Sequence, residues 1–346
     1  MERLVSAFGL EVMIGLAWLM SSHKRAFPWR VVLGGITLQF AFALLLFNPY
    51  GEKVFQHIGN FFQAIIDCTD AGAKFLFDIH GRPEDASLPP EYTIWRTFAF
   101  GVLPTIIFFS SLMAILYYWG IMQKVVQFFA WIMQKTLGTS GAETLSAAAN
   151  IFVGQTEAPL VVRPYVGQMT LSELNVVMVG GFATIAGGVL AIFIRMGIDP
   201  GHLITASVIS APAALLIAKV MQPETEHSKT SGHVELTVES ASVNVLEAAA
   251  EGAATGMKLA INVAAMLIAF VALVAMINLG VGWLGGLFGY SGEASWSLEK
   301  LFGVIFAPFA WLMGVPWAEC NVAGVMLGTK MVLNEVIAYI QLAEAV

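Results

Sequence analysis

The sequence predicts an all-α integral membrane protein with two re-entrant helical hairpins. Only 12% of the 346 residues are charged and 58% are hydrophobic, whereas soluble chains carry roughly 25% charged residues. Several apolar runs are also long enough to cross a bilayer core of about 30 Å as helices. Two further stretches, residues 138–166 and 314–346, are mostly apolar yet contain ionisable side chains. The first two observations predict a lipid bilayer as the solvent, and the third predicts the hairpins.

The apolar runs predict six membrane-spanning helices and several segments that lie outside the membrane core. An interfacial helix is expected at residues 121–137, and an amphipathic helix at 245–257 follows a polar inside loop at 222–242. We divide the chain into N-terminal helices with an external loop (1–94), a first core repeat (95–222), a cytoplasmic loop with an amphipathic helix (223–258) and a second core repeat (259–346). The six spans are expected at about residues 4–20, 31–47, 97–119, 174–194, 203–220 and 259–279.

The basic cluster near the N-terminus sets the predicted orientation. His23, Lys24 and Arg25 follow the first apolar run, whereas a signal peptide has its positive charge before that run. The cluster is expected on the cytoplasmic side by the positive-inside rule, which places the N-terminus outside. The acidic stretch 48–96 is then external, with one amphipathic helix on the surface.

Charge and cysteine content exclude two classes of function. The net charge of −7 argues against a nucleic-acid partner, which requires a basic surface. Cys68 and Cys320 have no metal-ligand spacing and suggest no disulfide framework.

The two hairpin stretches are where function is expected. Ionisable residues at membrane depth are costly and usually face a cavity or a partner. Non-helical backbone at a hairpin tip survives only where protein or water satisfies it. The first stretch contains Glu143, Asn150, Gln155, Thr156, Glu157 and Arg163, and the second contains Glu319, Asn321, Lys330, Asn334 and Glu335.

An internal repeat links the two hairpins. Residues 129–133 (FAWIM) are echoed by residues 309–313 (FAWLM), and an Ala-Glu pair follows each copy. The predicted topology starts the first copy inside and the second outside. Inverted repeats with interrupted hairpins are typical of secondary transporters, which bind their substrate near the bilayer midplane. The match is short, so a chance similarity is the alternative.

Longer motifs resemble the concentrative nucleoside transporter family, from about Trp95 to the end of the chain. The segment NIFVGQTEAPL at 150–160, with the Arg-Pro pair at 163–164 and MTLSEL at 169–174, resembles the family's first hairpin. GFATIAG at 181–187 resembles its fourth helix. PFAWLMGVPW at 308–317 and GTKMVLNEVIAY at 328–339 resemble the approach to its second hairpin and one arm of that hairpin. Val336 and Ile337 depart mildly from the family's Asn-Glu-Phe-Val-Ala-Tyr.

The resemblance implies a sodium-coupled nucleoside symporter of the bacterial type, with an inverted-repeat fold, and not an enzyme. It implies a homotrimer in the cell (inner) membrane that uses Na⁺ as the coupling ion. Proton coupling is the alternative, with a channel or an intramembrane enzyme that uses Glu157 and Glu335 as further alternatives. No nucleophile motif or phosphate loop accompanies those two carboxylates.

The resemblance also implies a substrate site on both hairpins. Gln155 and Thr156 would hydrogen-bond the nucleobase, Val189 would pack against it, and Glu157 would lie beside them. Ribose hydroxyls would donate to Glu335, and Asn334 belongs to the same site.

A sodium ion would be held by the Asn150 side chain, the Thr184 hydroxyl and the carbonyls of Val153 and Ile185. None of these groups titrates near neutral pH, which favours sodium over protons. Asn150 could instead cap a half-helix, and Thr184 could bond back to the preceding turn.

The remaining charged residues of the hairpins have simpler expected roles. Glu143 and Glu319 are expected to be solvated near the hairpin entrances. Lys330 either pairs with Glu335 or lies at the membrane interface, and Arg163 is expected to reach the interface or close an ion pair.

The family places two further spans after the second hairpin, and the first of them contributes polar residues to the sugar site. Because this sequence stops at Val346, the resemblance implies that the last two transmembrane helices are lacking. Without those helices the sugar site would be incomplete, so the resemblance leaves transport by this polypeptide alone in doubt.

Overall fold

The computed structural model describes residues 2–46, 48–77, 98–155, 158–185, 187–230, 242–290, 292 and 295–345. Within these residues the chain is helical and contains no strand, which confirms the predicted all-α class. The helices, in chain order, are α1 Glu2–Leu19, α2 Trp29–Leu46, α3 Pro49–Phe77, α4 Leu103–Tyr118, α5 Ile121–Leu137, α6 Gly141–Ala149, α7 Ala158–Val161, α8 Leu171–Ala183, α9 Gly187–Arg195, α10 Pro200–Met221, α11 Val245–Leu287, α12 Leu298–Leu312, α13 Cys320–Val332 and α14 Glu335–Ala345.

In the part of the chain that the structure describes, three helical segments are long and apolar enough to cross a membrane: Phe98–Tyr118, which includes a π-helical turn at Phe98–Val102, α10 and α11. The sequence predicted an amphipathic helix at 245–257 that leads into a span at 259–279, and the structure joins the two in one helix. The helix runs without a break for 43 residues. Lys258 lies between the two expected segments, and because lysine is a good helix former the helix continues through this charge.

The chain divides into two compact units, residues 17–260 and residues 1–16 with 261–346. The core of the first unit lies where α5, α6, α8 and α10 pack together. Every residue of α6 is buried, and its alanine-rich sequence allows its neighbours to approach closely. This arm of the first hairpin therefore lies inside protein, where its backbone is protected from lipid.

In the second unit, α12 packs along α13 through small residues. A Cβ on Gly324 would lie 2.7 Å from the carbonyl oxygen of Gly303, so the two backbones are nearly in contact. Glycine at such a position is typical of close helix pairs in membranes. The hydroxyl of Ser6 on α1 donates to the carbonyl of Met313 at 3.1 Å, which ties α1 to the end of α12.

Each unit contains the succession that the internal repeat predicts. Helix α5 ends at Gly138 with φ of 72°, and α6 and α7 follow. Helix α12 is followed by Gly314 with φ of 94°, and α13 and α14 come next. Glycine adopts this left-handed conformation without a steric penalty, and so it ends a helix and turns the chain into the next segment. The inverted sense of the repeat stays a prediction.

Candidate ion and substrate site at the first hairpin

At the tip of the first hairpin, between α6 and α7, the described residues 150–155 are non-helical. Helix α6 begins with a capping box in which Ser140 and Glu143 satisfy each other's backbone N–H groups. It ends at Ala149, and α7 begins at Ala158. Pro159 in the first turn of α7 lacks an N–H, which suits a new helix start and prevents a continuous helix. The tip is therefore the segment 150–157, of which residues 150–155 are described.

A second break faces this tip. The sequence predicted a span at about 174–194, and the structure divides this span into two helices. Helix α8 ends at Ala183, Thr184 is extended with φ of −117° and ψ of 153°, and α9 begins at Gly187. Two consecutive glycines at 187–188 weaken the helix by about 1 kcal/mol each. Hydropathy could not reveal the break because the segment remains apolar throughout.

Three glycines bring the tip and the break together. A Cβ on Gly180 would lie 2.9 Å from Nδ2 of Asn150, and a Cβ on Gly181 would lie 2.9 Å from Cβ of Gln155. A Cβ on Gly187 would collide with the carbonyl oxygen of Phe152. A side chain at position 187 would collide with the backbone of the tip, and side chains at 180 and 181 would press on the Asn150 and Gln155 side chains, so the close contact depends on glycine.

Asn150 is the most unusual residue of this contact. Its side chain is 0% exposed, and neither Oδ1 nor Nδ2 has a hydrogen-bond partner among the described residues. Leaving a buried polar group unpaired costs about 1–3 kcal/mol. Asn150 is the C-cap residue of α6, as the capping alternative expects, but it caps the helix only through its backbone N–H, which donates to the carbonyls of Ser146 and Ala148. The side-chain amide is therefore available to a ligand.

Thr184 lies at the same place. Its hydroxyl donates a hydrogen bond to the carbonyl of Gly180 at 2.8 Å, so Thr184 does bond back to the preceding helical turn, as the alternative expects. A hydroxyl oxygen that donates its proton still has two lone pairs. Asn150 and Thr184 thus both lie next to Gly180. Val153 and Ile185, which are close to them in the sequence, are also buried.

The oxygens gathered here are all neutral. Within the part of the chain that the structure describes, no group of three or more His, Cys, Asp or Glu side chains could hold a metal ion. An amide oxygen, a hydroxyl and backbone carbonyls suit a hard monovalent cation and not a transition metal.

The predicted substrate residues divide between the two units. Gln155 is exposed at the tip and Val189 is half-buried on α9. Thr156 and Glu157 lie outside the described residues. In the second unit Oδ1 of Asn334 accepts the Val336 N–H at 2.7 Å at the start of α14.

Lys330 pairs with Glu335, with Nζ 3.1 Å from Oε1, so the first of its two predicted roles is confirmed. Arg163 and Glu319 are both exposed. For Glu319 this agrees with the expected solvation.

The prediction that Glu143 is solvated is wrong. The Glu143 side chain is 1% exposed, and its Oε2 lies 2.7 Å from Nζ of Lys219, which is 5% exposed. Lys219 also donates to Ser172 at 2.9 Å and lies 3.3 Å from Glu224. This ion pair joins the start of α6 to the end of α10.

A second buried carboxylate lies next to it. Glu173, at the start of α8, accepts the Thr170 N–H at 2.8 Å and the Ser228 hydroxyl at 2.6 Å, and the Thr230 hydroxyl also donates to it. The sequence contained a signal for both acids. Ser140-x-x-Glu143 and Thr170-x-x-Glu173 are capping boxes, a pattern that marks helix starts.

Comparison with known proteins gives consistent matches along the chain. The descriptions "Na+ dependent nucleoside transporter N-terminus", "Nucleoside recognition" and "Na+ dependent nucleoside transporter C-terminus" match residues 8–79, 99–199 and 202–346. An "Uncharacterized transporter" of Haemophilus influenzae is 46% identical over 346 residues, covering 99% of this chain and 80% of that protein. Sodium/nucleoside cotransporter 1 of Rattus norvegicus is 45% identical, covering 99% of this chain and 51% of its own length.

Solved structures agree with these matches. CNTnw in an inward-facing substrate-bound state aligns with a TM-score of 0.89 at 44% identity, covering 99% of this chain and 80% of that one. A CNTnw variant in an outward-facing state aligns with a TM-score of 0.91 at 45% identity and the same coverage. The chain spans about half the length of the mammalian relatives it matches. It belongs to the concentrative, Na⁺-dependent nucleoside transporter family, whose members are multi-pass membrane transporters and not enzymes.

Proposed function

We propose that the chain carries nucleosides into the cell together with Na⁺. The observation that carries this proposal is the buried Asn150 amide at the hairpin tip, which faces the break between α8 and α9 and has no hydrogen-bond partner among the described residues. Relatives named as sodium/nucleoside cotransporters support it. The proposal includes a place in the cell (inner) membrane and assembly as a homotrimer.

In this proposal Na⁺ is bound by Oδ1 of Asn150, the hydroxyl oxygen of Thr184 and the carbonyls of Val153 and Ile185. The Thr184 proton is directed to Gly180, so its lone pairs can face a cation. Burial strengthens the attraction between these dipoles and the ion because water does not screen it. None of the ligands titrates near neutral pH, which is why sodium is preferred to a proton.

The nucleobase would contact the same hairpin tip. The Gln155 amide and the Thr156 hydroxyl offer both donors and acceptors to an uncharged base. Val189 would pack against the base, and Glu157 would lie beside it.

The sugar would contact the second hairpin, at Asn334 and Glu335. Ribose hydroxyls are donors, and an ionised carboxylate accepts from them strongly.

Coupling follows from the shared segment. The tip carries the proposed ion ligand Asn150 and the proposed base ligand Gln155, and each contacts a neighbouring glycine of α8. An ion that orders one end of such a short segment also orders the other end. Sodium and nucleoside should then raise each other's affinity by the same factor.

The test is uptake of uridine and adenosine into proteoliposomes that contain the protein. An inward sodium gradient should drive saturable accumulation. Asn150→Ala should raise the sodium concentration for half-maximal uptake about tenfold or more, since a hydrogen bond or similar contact to a charge contributes roughly 1.5–3 kcal/mol. High sodium should restore nucleoside affinity.

Asn175→Ala is the matched control. Asn175 also lies in the first unit, but its amide already has a partner, because Nδ2 donates to the carbonyl of Ala218 at 2.9 Å. Its loss should leave the sodium dependence unchanged. Uptake that follows a pH gradient and ignores sodium would contradict the coupling assignment. Uptake that never exceeds equilibration would favour a channel.

A further inference from the structure

The second hairpin contains an ion pair at the junction of its two helices. Lys330 lies in the last turn of α13 and Glu335 is the first residue of α14, and Nζ lies 3.1 Å from Oε1. A cation at a helix C-terminus and an anion at a helix N-terminus are each favoured by the helix dipole. The pair therefore fixes the carboxylate at the turn where the two arms meet.

The surroundings of the pair are largely apolar. Lys330 lines a cavity of about 290 Å³ and is its one charged lining residue among those described; the others include Met313, Leu327 and Leu342. Tyr339, which lies one turn after Glu335 on α14, also lines this cavity. Lys330 thus supplies the positive charge that faces Glu335 from α13.

The ion pair between Lys330 and Glu335 contributes little to the stability of the fold. The side chains of Lys330 and Glu335 are 43% and 27% exposed, and exposed ion pairs contribute little to folding. A carboxylate has two oxygens with about four acceptor positions, so a contact at Oε1 leaves acceptor capacity for other donors. The geometry suits a carboxylate that is held in place by lysine and remains open to a ligand.

We propose that Lys330 is a positioning residue for nucleoside binding, which turns and holds the Glu335 carboxylate toward the sugar hydroxyls. The inference rests on the proposed role of Glu335 in the sugar site. Lys330 acts through Glu335. Loss of Lys330 should therefore weaken binding only of ligands whose hydroxyls donate hydrogen bonds to Glu335.

The experiment is equilibrium binding of uridine and of 2′,3′-dideoxyuridine to the purified protein in sodium buffer. Lys330→Met should weaken uridine binding about three- to tenfold. This is less than the tenfold to hundredfold loss expected for Glu335→Gln, which removes a charged hydrogen-bond acceptor. Dideoxyuridine binding should change less than twofold in both variants, because it lacks the hydroxyls. Lys330→Arg, which keeps the positive charge, should retain most of the wild-type uridine affinity.

Two further variants separate positioning from general damage. In the Glu335→Gln background, Lys330→Met should have no additional effect, since the residue it positions is already altered. Lys300→Met, on the exposed start of α12, is the matched control and should bind both ligands normally. Melting temperatures of all variants should stay close together, and Lys330→Gln is the replacement if the methionine variant aggregates.

The outcomes separate this inference from the proposed function. If Glu335→Gln selectively weakens uridine while Lys330→Met does not, Lys330 has no positioning role and the sugar site stands. Equal losses of both ligands in Lys330→Met, or additive losses in the double variant, would also refute positioning. If Glu335→Gln weakens both ligands equally, or the wild type binds neither uridine nor adenosine, the proposed function itself fails.

Discussion

Replacing Lys219 by methionine tests the buried ion pair at the start of the first hairpin. The perturbation removes the ammonium that lies 2.7 Å from Glu143, 2.9 Å from Ser172 and 3.3 Å from Glu224. Methionine keeps most of the length and apolar volume of the lysine stem. The variant therefore removes charge with little change in packing.

The expected loss follows from what is left behind. Breaking a buried ion pair by removing one partner costs about 3–5 kcal/mol because the other charge remains buried. Glu143 retains one hydrogen bond, from the Ser140 N–H to Oε1 at 2.8 Å. Glu224 is partly exposed and can be solvated. We therefore expect a loss at the lower end, about 3 kcal/mol of the free energy of unfolding.

The double variant Lys219→Met with Glu143→Gln should recover most of this loss. It leaves no charge from the pair, and glutamine can still accept the Ser140 N–H in the capping box. Replacing both members of a buried pair is often neutral or stabilising. We expect the double variant to lie within about 1 kcal/mol of the wild type.

The assay is chemical denaturation of the purified protein in detergent, followed by tryptophan fluorescence. Lys229→Met, at an exposed position of the segment after α10, is the control for general loss of a lysine. If Lys219→Met is as stable as this control, the ion pair does not stabilise the fold. A double variant no more stable than Lys219→Met would show that the loss comes from packing and not from an unpaired carboxylate.

Two other predictions concern the tip and the topology. Gly187→Ala should disturb the contact between tip and break and weaken sodium binding at least as much as nucleoside binding, whereas Gly167→Ala, with open space around it, should have no effect on a sodium titration. An Asp85→Cys variant in a Cys68→Ser background should react with an impermeant thiol reagent in intact cells; labelling only after permeabilisation would overturn the predicted orientation.

Much of the helical framework could be predicted from the sequence. A helix was expected at 121–137, where Lys124 and Lys135 accompany aromatic residues, and α5 has these bounds. Its position at the membrane interface stays a prediction. The predicted span at 203–220 lies within α10, whose start is marked by the Asp199 cap and Pro200. Apolar patterning and caps depend on residues that are close in the sequence, so tertiary contacts do not change what they predict.

The break between α8 and α9 could not be predicted from the same signals. Hydropathy measures transfer into lipid, and a broken span is as apolar as a continuous one. What stabilises the break is the packing of Phe152 and Asn150 against glycines of α8 and α9, and these contacts join residues far apart in the chain. The prediction that Glu143 is solvated was wrong for a similar reason. Its charge alone suggested contact with water, whereas its ion-pair partner Lys219 lies far away in the sequence, on α10.

The two ends of the first hairpin differ in a way that bears on coupling. At its start, Glu143 and Glu173 are buried and paired with ammonium, hydroxyl and N–H donors. At its tip, the Asn150 amide is equally buried and unpaired among the described residues. An unpaired group of this kind destabilises the tip by about 1–3 kcal/mol, and a cation bound to Oδ1 would remove the part of that penalty that belongs to this oxygen. Because the start of the hairpin is firmly held, this gain is confined to residues 150–155, which include Gln155. Ion binding can therefore order the proposed base site without rearranging the rest of the unit.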